Sequence, residues 1–213
     1  MPPDSDICGL MLAGGQSGRM GGGDKCLLEL GGRTLLRHMI DVAAPQVGPM
    51  VLNTNSDPSL FADYALPLSP DMVGGQVGPL AGVLTGLEWA MRYAPNCDWV
   101  ASFACDAPFV PPDLVFRLRQ AIEEDGADMA CARSDGRHHP VFALWPVRLA
   151  GELRDAVVTE GLRKVDDWTE RYAQARVDFP SEPADPFFNI NRPEDLARAE
   201  SLLARRSDGE LGP

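Results

Sequence analysis

The sequence predicts one three-layer α/β/α domain around an open, mostly parallel sheet. Three observations carry that reading. Short apolar runs of strand length alternate with segments whose apolar residues recur at helical spacing. A glycine-rich loop follows the first of these runs directly. The length of 213 residues, with 45% hydrophobic and 23% charged, suits a single domain with a substantial core.

Residues 7–13 (ICGLMLA) form an apolar run closed by Gly14-Gly15, as a strand buried on both faces would. Leu35, Met39 and Val42 give residues 34–42 helical spacing, with Thr34 as N-cap. Met50–Asn53 reads as a second strand ending in a polar residue. Leu80, Val83, Leu84, Leu87 and Met91 mark a helix over 80–93. Trp99–Ala104 is a third buried strand, and Asp106 falls just past its carboxyl end. Pro111-Pro112-Asp113 opens a helix whose Leu114, Leu118, Ala121 and Ile122 make one face. Residues 127–132 and 141–145 are further strands, 149–157 and 161–172 weaker helices, and 175–179 a returning strand. Asn191-Arg192-Pro193-Glu194 fits a capping box before a last helix with Leu196, Ala199 and Leu203 on its buried side. No internal repeat or low-complexity linker divides residues 1–213, and only the ends, 1–4 and 206–213, are expected to be disordered.

Nineteen basic against thirty-one acidic residues give a net charge of −12, spread along the chain without a basic stripe. Duplex binding needs a positive face, so nucleic acid is not expected as a partner. An anionic small substrate is compatible only where local donors overcome this field. The five cysteines, 8, 26, 97, 105 and 131, form no C-x-x-C pair and suggest neither a disulfide framework nor a zinc knuckle. The amino terminus has acids where a signal peptide needs bases, and no stretch of 18 apolar residues exists. The expectation is a soluble, cytoplasmic protein with no membrane partner.

The informative segment is LAGGQSGRMGGGDK, residues 12–25. Six glycines among fourteen residues let backbone amides approach a ligand closely and converge on phosphate oxygens. Arg19 and Lys25 supply positive charge in an otherwise acidic chain. Lys25 is one of only two lysines beside seventeen arginines, which suggests a need for a compact ammonium. The letters do not fit a Walker A loop, since Lys25 is flanked by Asp24 and Cys26. They do not fit the dinucleotide fingerprint either, because G-x-G-x-x-G is absent. A flexible linker is the plain alternative, but linkers do not combine this glycine density with two cations after a buried strand.

The pattern L-A-G-G-x-x-x-R-M-G-G-x-D-K resembles the signature of pyrophosphorylase-like nucleotidyltransferases, most closely the molybdenum cofactor guanylyltransferases (MobA-type). Later segments agree in order: Asn53; Asp71 followed by G-P-L-A-G at 78–82; Cys105-Asp106-Ala107-Pro108; HPVFAL at 139–144; and F-N-I-N-R-P-E-D-L at 188–196. The resemblance spans roughly residues 9–200. It departs at Gly18, where some relatives carry a second basic residue. It implies a Rossmann-like, mostly parallel sheet of the nucleotide-diphospho-sugar transferase type, and a nucleotide site that includes Leu12, Ala13, Gly14, Gly15, Lys25, Asn53, Asp71, Gly78 and Pro79. The implied reaction transfers GMP from Mg-GTP to molybdopterin, the molybdenum cofactor, and releases pyrophosphate. Sibling cytidylyltransferases usually read A-A-G where this chain reads A-G-G.

Such a transfer needs negative charge neutralised around the α-phosphorus, usually by Mg²⁺ held through one or two carboxylates. Asp106, at the end of a central strand, is the expected metal ligand and, with Arg19 and Lys25, the catalytic set; its plain alternative is an Asx turn. Guanine offers N1–H and N2–H donors, so the base pocket needs an acceptor, from Asp71 or from a backbone carbonyl within 78–82. Asn189 and Asn191, two apart on an extended segment, face one side. Asn191 is equally explained as a helix cap, so Asn189 is the better candidate for metal or acceptor contact. His138-His139 is not expected to ligate a metal, since neighbours on a strand face opposite ways. Arg137, His139 or Arg163-Lys164 are candidates for the phosphate of the second substrate, with a solvated surface as an equal alternative. Cys26 is by default a core residue, with a thiol of lowered pKa beside Lys25 as the alternative, and no covalent role is expected of it. A cytidylyltransferase, a sugar-nucleotide synthase and a cofactor carrier without turnover are the rival functions. Contact with molybdoenzyme maturation proteins is compatible with the resemblance, though no residue marks it.

Overall fold

The computed structural model describes residues 6–14, 23–73 and 78–207. The ends expected to be disordered lie outside this set, except that residues 206 and 207 continue the last helix. A seven-stranded sheet runs in the order β5-β4-β1-β6-β8-β7-β9. Its strands are β1 (Ile7–Leu12), β4 (Met50–Asn53), β5 (Leu68–Ser69), β6 (Trp99–Ala104), β7 (Met129–Ser134), β8 (Arg137–Pro146) and β9 (Gln174–Asp178). β2 (Glu29–Leu30) and β3 (Arg33–Thr34) make a separate small hairpin. Helices α1 (Leu35–Ala43), α2 (Pro79–Tyr93), α3 (Leu114–Asp125), α4 (Ala150–Val158), α5 (Val165–Thr169) and α6 (Pro193–Ser207) surround the sheet.

Side-chain alternation along β1 creates the two apolar layers. Ile7 and Met11 join Met39, Phe103 and Leu118 on the face covered by α1 and α3. Cys8 and Leu10 join Leu84, Leu153 and Trp168 on the face covered by α2, α4 and α5. Every residue of β1 but the last is buried, as its unbroken apolar run predicts. Thr34 caps α1 as expected, its side chain accepting from Arg37 N at 3.2 Å.

The sheet is mostly parallel, as expected: β5-β4-β1-β6 and β7-β9 pair in parallel, and β8 runs antiparallel between β6 and β7. The cause is Asp135-Gly136, both at positive φ (47° and 72°), which closes a two-residue hairpin between Ser134 and Arg137. That hairpin shifts β7 from the expected 127–132 to Met129–Ser134 and lengthens β8 from 141–145 to Arg137–Pro146. The helix expected over 161–172 contracts to α5, because Gly161 turns to φ 73° and Lys164 stays extended. At the start of α6, Asp195 rather than Glu194 closes the cap. Its Oδ2 accepts from the amides of Asn191 and Arg192, each at 2.9 Å.

Candidate active site

β1 is flanked by β4 on one side and β6 on the other, and the chain reaches β6 only after α2 has crossed the sheet. Ligands of open α/β sheets bind in the crevice beyond the carboxyl ends of strands at such a point. A cleft of about 580 Å³ lies there. Leu12, Ala13, Gly14, Lys25, Asn53, Asp71, Gly78, Pro79, Asp106 and Asn189, all expected at a nucleotide site, line it. Gly15 and Arg19 lie outside the described residues.

α2 can start this close to the strands because of a glycine. A Cβ on Gly82 would stand 2.6 Å from both Asn53 Oδ1 and Leu12 Cδ2. Gly82→Ala is therefore expected to destabilise the protein by about 1–3 kcal/mol and to weaken nucleotide binding. Chemical denaturation and nucleotide titration of the same variant check both effects. Gly78, at φ 71°, precedes the helix without a side-chain cap. The amino end of α2 thus faces the cleft with its positive dipole end.

At one end of the cleft, Lys25 Nζ donates to Asp106 Oδ2 at 2.6 Å and to Asn191 Oδ1 at 2.5 Å. The Lys25 and Asp106 side chains are only 12% and 24% exposed, so each offsets a charge that would be costly alone. Cap closure by Asp195 leaves the Asn191 side chain available for Lys25, and its alternative role as cap does not hold. Asn189 Oδ1 is buried at the same end and has no hydrogen-bond partner. Its neighbour Ile190 donates from N to Asp106 O at 2.9 Å, which fixes the asparagine segment against the end of β6.

At the other end, Asn53 Nδ2 donates to Asp71 Oδ1 at 2.9 Å and Asn55 Nδ2 to Asp71 Oδ2 at 2.8 Å. Asp71 N returns a bond to Asn55 Oδ1 at 2.8 Å. Both carboxylate oxygens are thereby oriented while keeping lone pairs for a ligand. Asn55 escaped the sequence reading, although Asn53-Thr54-Asn55 repeats a polar amide at strand spacing past β4. Ser56 and Asp24, also missed, bond to each other across the rim.

Other candidates resolve against a direct role. Cys26 is buried and its thiol is pushed up to about 12, chiefly by desolvation and then by Asp24. The lowered thiol is thus overturned and the core reading holds. Cys105, fully buried, is pushed well above its ordinary value by the same cause. His139 is buried against Ser134 and Phe187 rather than presented to a phosphate. Arg163 spends its guanidinium on the carbonyls of Val157 and Leu162. Among the described residues, no group of three or more His, Cys, Asp or Glu is arranged to hold a metal. No described helix is long and apolar enough to cross a membrane.

A lysine and a carboxylate at one end of a switch-point cleft, a glycine-spaced helix start, and a braced aspartate at the other end make this cleft the candidate nucleotide site of an α/β protein. The MobA-like NTP transferase domain matches residues 9–175. The chain belongs to that family, and it is a nucleotidyltransferase. It is 52% identical over 198 residues to the molybdenum cofactor guanylyltransferase of Rhodopseudomonas palustris (strain BisB5), covering 93% of this chain and 94% of the relative. The Bradyrhizobium sp. (strain ORS 278) protein of the same name is 53% identical over 198 residues, 93% of each chain. The crystal structure of molybdopterin-guanine dinucleotide biosynthesis protein A from Archaeoglobus fulgidus superposes with a TM-score of 0.72 at 26% identity. That match covers 93% of this chain and 99% of the other.

Proposed function

We propose that this protein transfers GMP from Mg-GTP to the terminal phosphate of molybdopterin, forming a guanine dinucleotide cofactor and releasing pyrophosphate. The observation that carries the reading is the division of the cleft. A braced carboxylate, Asp71, stands at one end, and the Lys25–Asp106–Asn191 cluster stands at the other. Asp71 presents acceptors to the N1–H and N2–H of guanine, and Asn53 and Asn55 hold it in orientation. Lys25 takes charge on the phosphates, together with Arg19 from the loop and the amino end of α2. An oxygen of the acceptor phosphate attacks the α-phosphorus, a new P–O bond forms, and the bond to the bridging oxygen breaks to release pyrophosphate. The attacking phosphate is already anionic near neutral pH, so no strong base is required.

Asp106, a hard oxygen donor, and the unpartnered Oδ1 of Asn189 lie in one cleft and fit a Mg²⁺ ion that completes its shell with phosphate and water. When bound, such an ion neutralises charge on the reacting phosphates. Five free, buried cysteines agree with a cytoplasmic site of action.

Pyrophosphate release with molybdopterin and each of the four nucleoside triphosphates tests the reading. GTP is expected to exceed CTP by about 10⁴-fold in kcat/KM, the scale on which a site built to hydrogen-bond its substrate rejects one that lacks the matching groups. A CTP preference makes the protein a cytidylyltransferase instead. Tight binding of the product without turnover makes it a carrier.

A further inference from the structure

The segment between β9 and α6 supplies Asn189, which lines the cleft, and Asn191, which accepts from Lys25, and hydrogen bonds to a buried serine–histidine pair tie it to the β7–β8 hairpin. Ser134 ends β7 and His139 lies on β8, only 1% and 8% exposed. Ser134 Oγ stands 2.7 Å from His139 Nε2 and donates to Asp185 Oδ1 at 2.9 Å. A carboxylate only accepts, so the hydroxyl proton goes to Asp185 and the hydroxyl oxygen receives Nε2–H from the imidazole. The same Asp185 Oδ1 accepts from Phe187 N at 3.0 Å. The Phe187 ring lies 4.5 Å from His139 and 5.0 Å from Phe142, centroid to centroid. Three residues on, Ile190 N bonds to Asp106 O, with Asn189 and Asn191 on either side of it.

We propose that Ser134, His139 and Asp185 form a positioning relay that holds Asn189 in the cleft and Asn191 at Lys25. This rests on the reading of the cleft as the nucleotidyl-transfer site. The three residues are of the types found in hydrolytic triads, but the order excludes nucleophilic chemistry. In a triad the histidine stands between serine and carboxylate and takes the hydroxyl proton. Here the serine stands in the middle, its proton is committed to Asp185, and the imidazole donates. Burial lowers the pKa of His139, with Arg137 and His138 acting in the same direction and Asp185 opposing. The imidazole is therefore neutral near pH 7, the state in which a single N–H can be directed at Ser134. The segment is thus pinned twice, to the β7–β8 hairpin through Asp185 and to the end of β6 through Ile190. Asn189 and Asn191 lie at and beside the second pin.

Hydrogen–deuterium exchange of the full chain tests the relay without any substrate. Ser134→Ala is expected to speed exchange of the Phe187 and Ile190 amides by about tenfold or more, the scale of a lost bond to a charged group, with β1 and β6 unchanged. In the transfer assay the same variant should lower kcat and raise KM for GTP, since Asn191 positions Lys25 on the triphosphate and Asn189 faces its metal, while leaving KM for the acceptor in place. Asp185→Ala should reproduce both effects, and Asp185→Asn, which keeps an acceptor oxygen, should restore them towards wild type. Asp185 lies outside the sheet core, so its variants carry the test if Ser134→Ala melts early. Unchanged exchange over residues 185–192 overturns the relay, as does a rise spread evenly over the sheet. If the segment loosens as described while the wild-type protein turns over no triphosphate, the relay stands and the catalytic reading fails.

Discussion

Asp106→Ala is expected to lower nucleotidyl transfer by about a thousandfold, the scale on which removing a charge-stabilising group acts. The fold should survive. Asp106 contributes its carboxylate to Lys25 at 2.6 Å, and its backbone oxygen, which Ala retains, accepts from Ile190 N. Losing the carboxylate leaves a largely buried ammonium with Asn191 as remaining acceptor, at a cost of roughly 1–3 kcal/mol. Asp106→Asn separates the two contributions. The amide oxygen can still accept from Lys25, so stability should return most of the way, while the missing negative charge keeps activity low. Pyrophosphate release and a thermal melt on both variants decide the matter. Near-wild-type turnover in either removes Asp106 as the metal ligand.

Lys25→Met should lower kcat/KM for GTP by about 100-fold or more, through weaker triphosphate binding and lost stabilisation of the leaving charge. Without nucleotide, Lys25 and Asp106 neutralise each other. The proposed chemistry has them separate their tasks, the ammonium turning to phosphate and the carboxylate to the cation. Lys25→Met therefore also leaves Asp106 uncompensated, and the GTP-induced rise in melting temperature should shrink with it. Lys25→Arg is not expected to rescue. Two acceptors at 2.6 and 2.5 Å converge on one nitrogen, a geometry that suits a compact ammonium and not a planar fork. Wild-type activity in Lys25→Arg would show that charge alone suffices.

Much of this was legible in the letters because it is local. Apolar periodicity reports which side of an element meets the core, so β1, β4, β6, α1 and α2 emerge close to their observed bounds. The carboxylate and amides of the cleft stand just past strand ends, where short polar residues interrupt apolar runs. Asp135-Gly136 was equally local, a two-residue hairpin signal that explains the antiparallel β8. Asn55 was legible in the same way from its spacing to Asn53. The start of α6 was placed correctly while its capping carboxylate fell one residue later.

What the chain order alone could not decide is which groups face each other. Lys25 meets Asp106 across 81 residues and Asn191 across 166, and Ser134 meets Asp185 across 51. Sequence spacing fixes the face of a helix or strand, but such pairs depend on strand order and on where the connecting segment crosses the sheet. The sequence by itself determined the α/β class, the buried strands and the residue types of a nucleotide site. The tertiary structure decided that the cleft's lysine and aspartate hold one another, that Asn191 serves Lys25 rather than a helix cap, and that His139 lies in a buried relay. Burial makes that so: once water is excluded, each charge and each amide must find its partner in the protein, and only the packed fold says which partners are within reach.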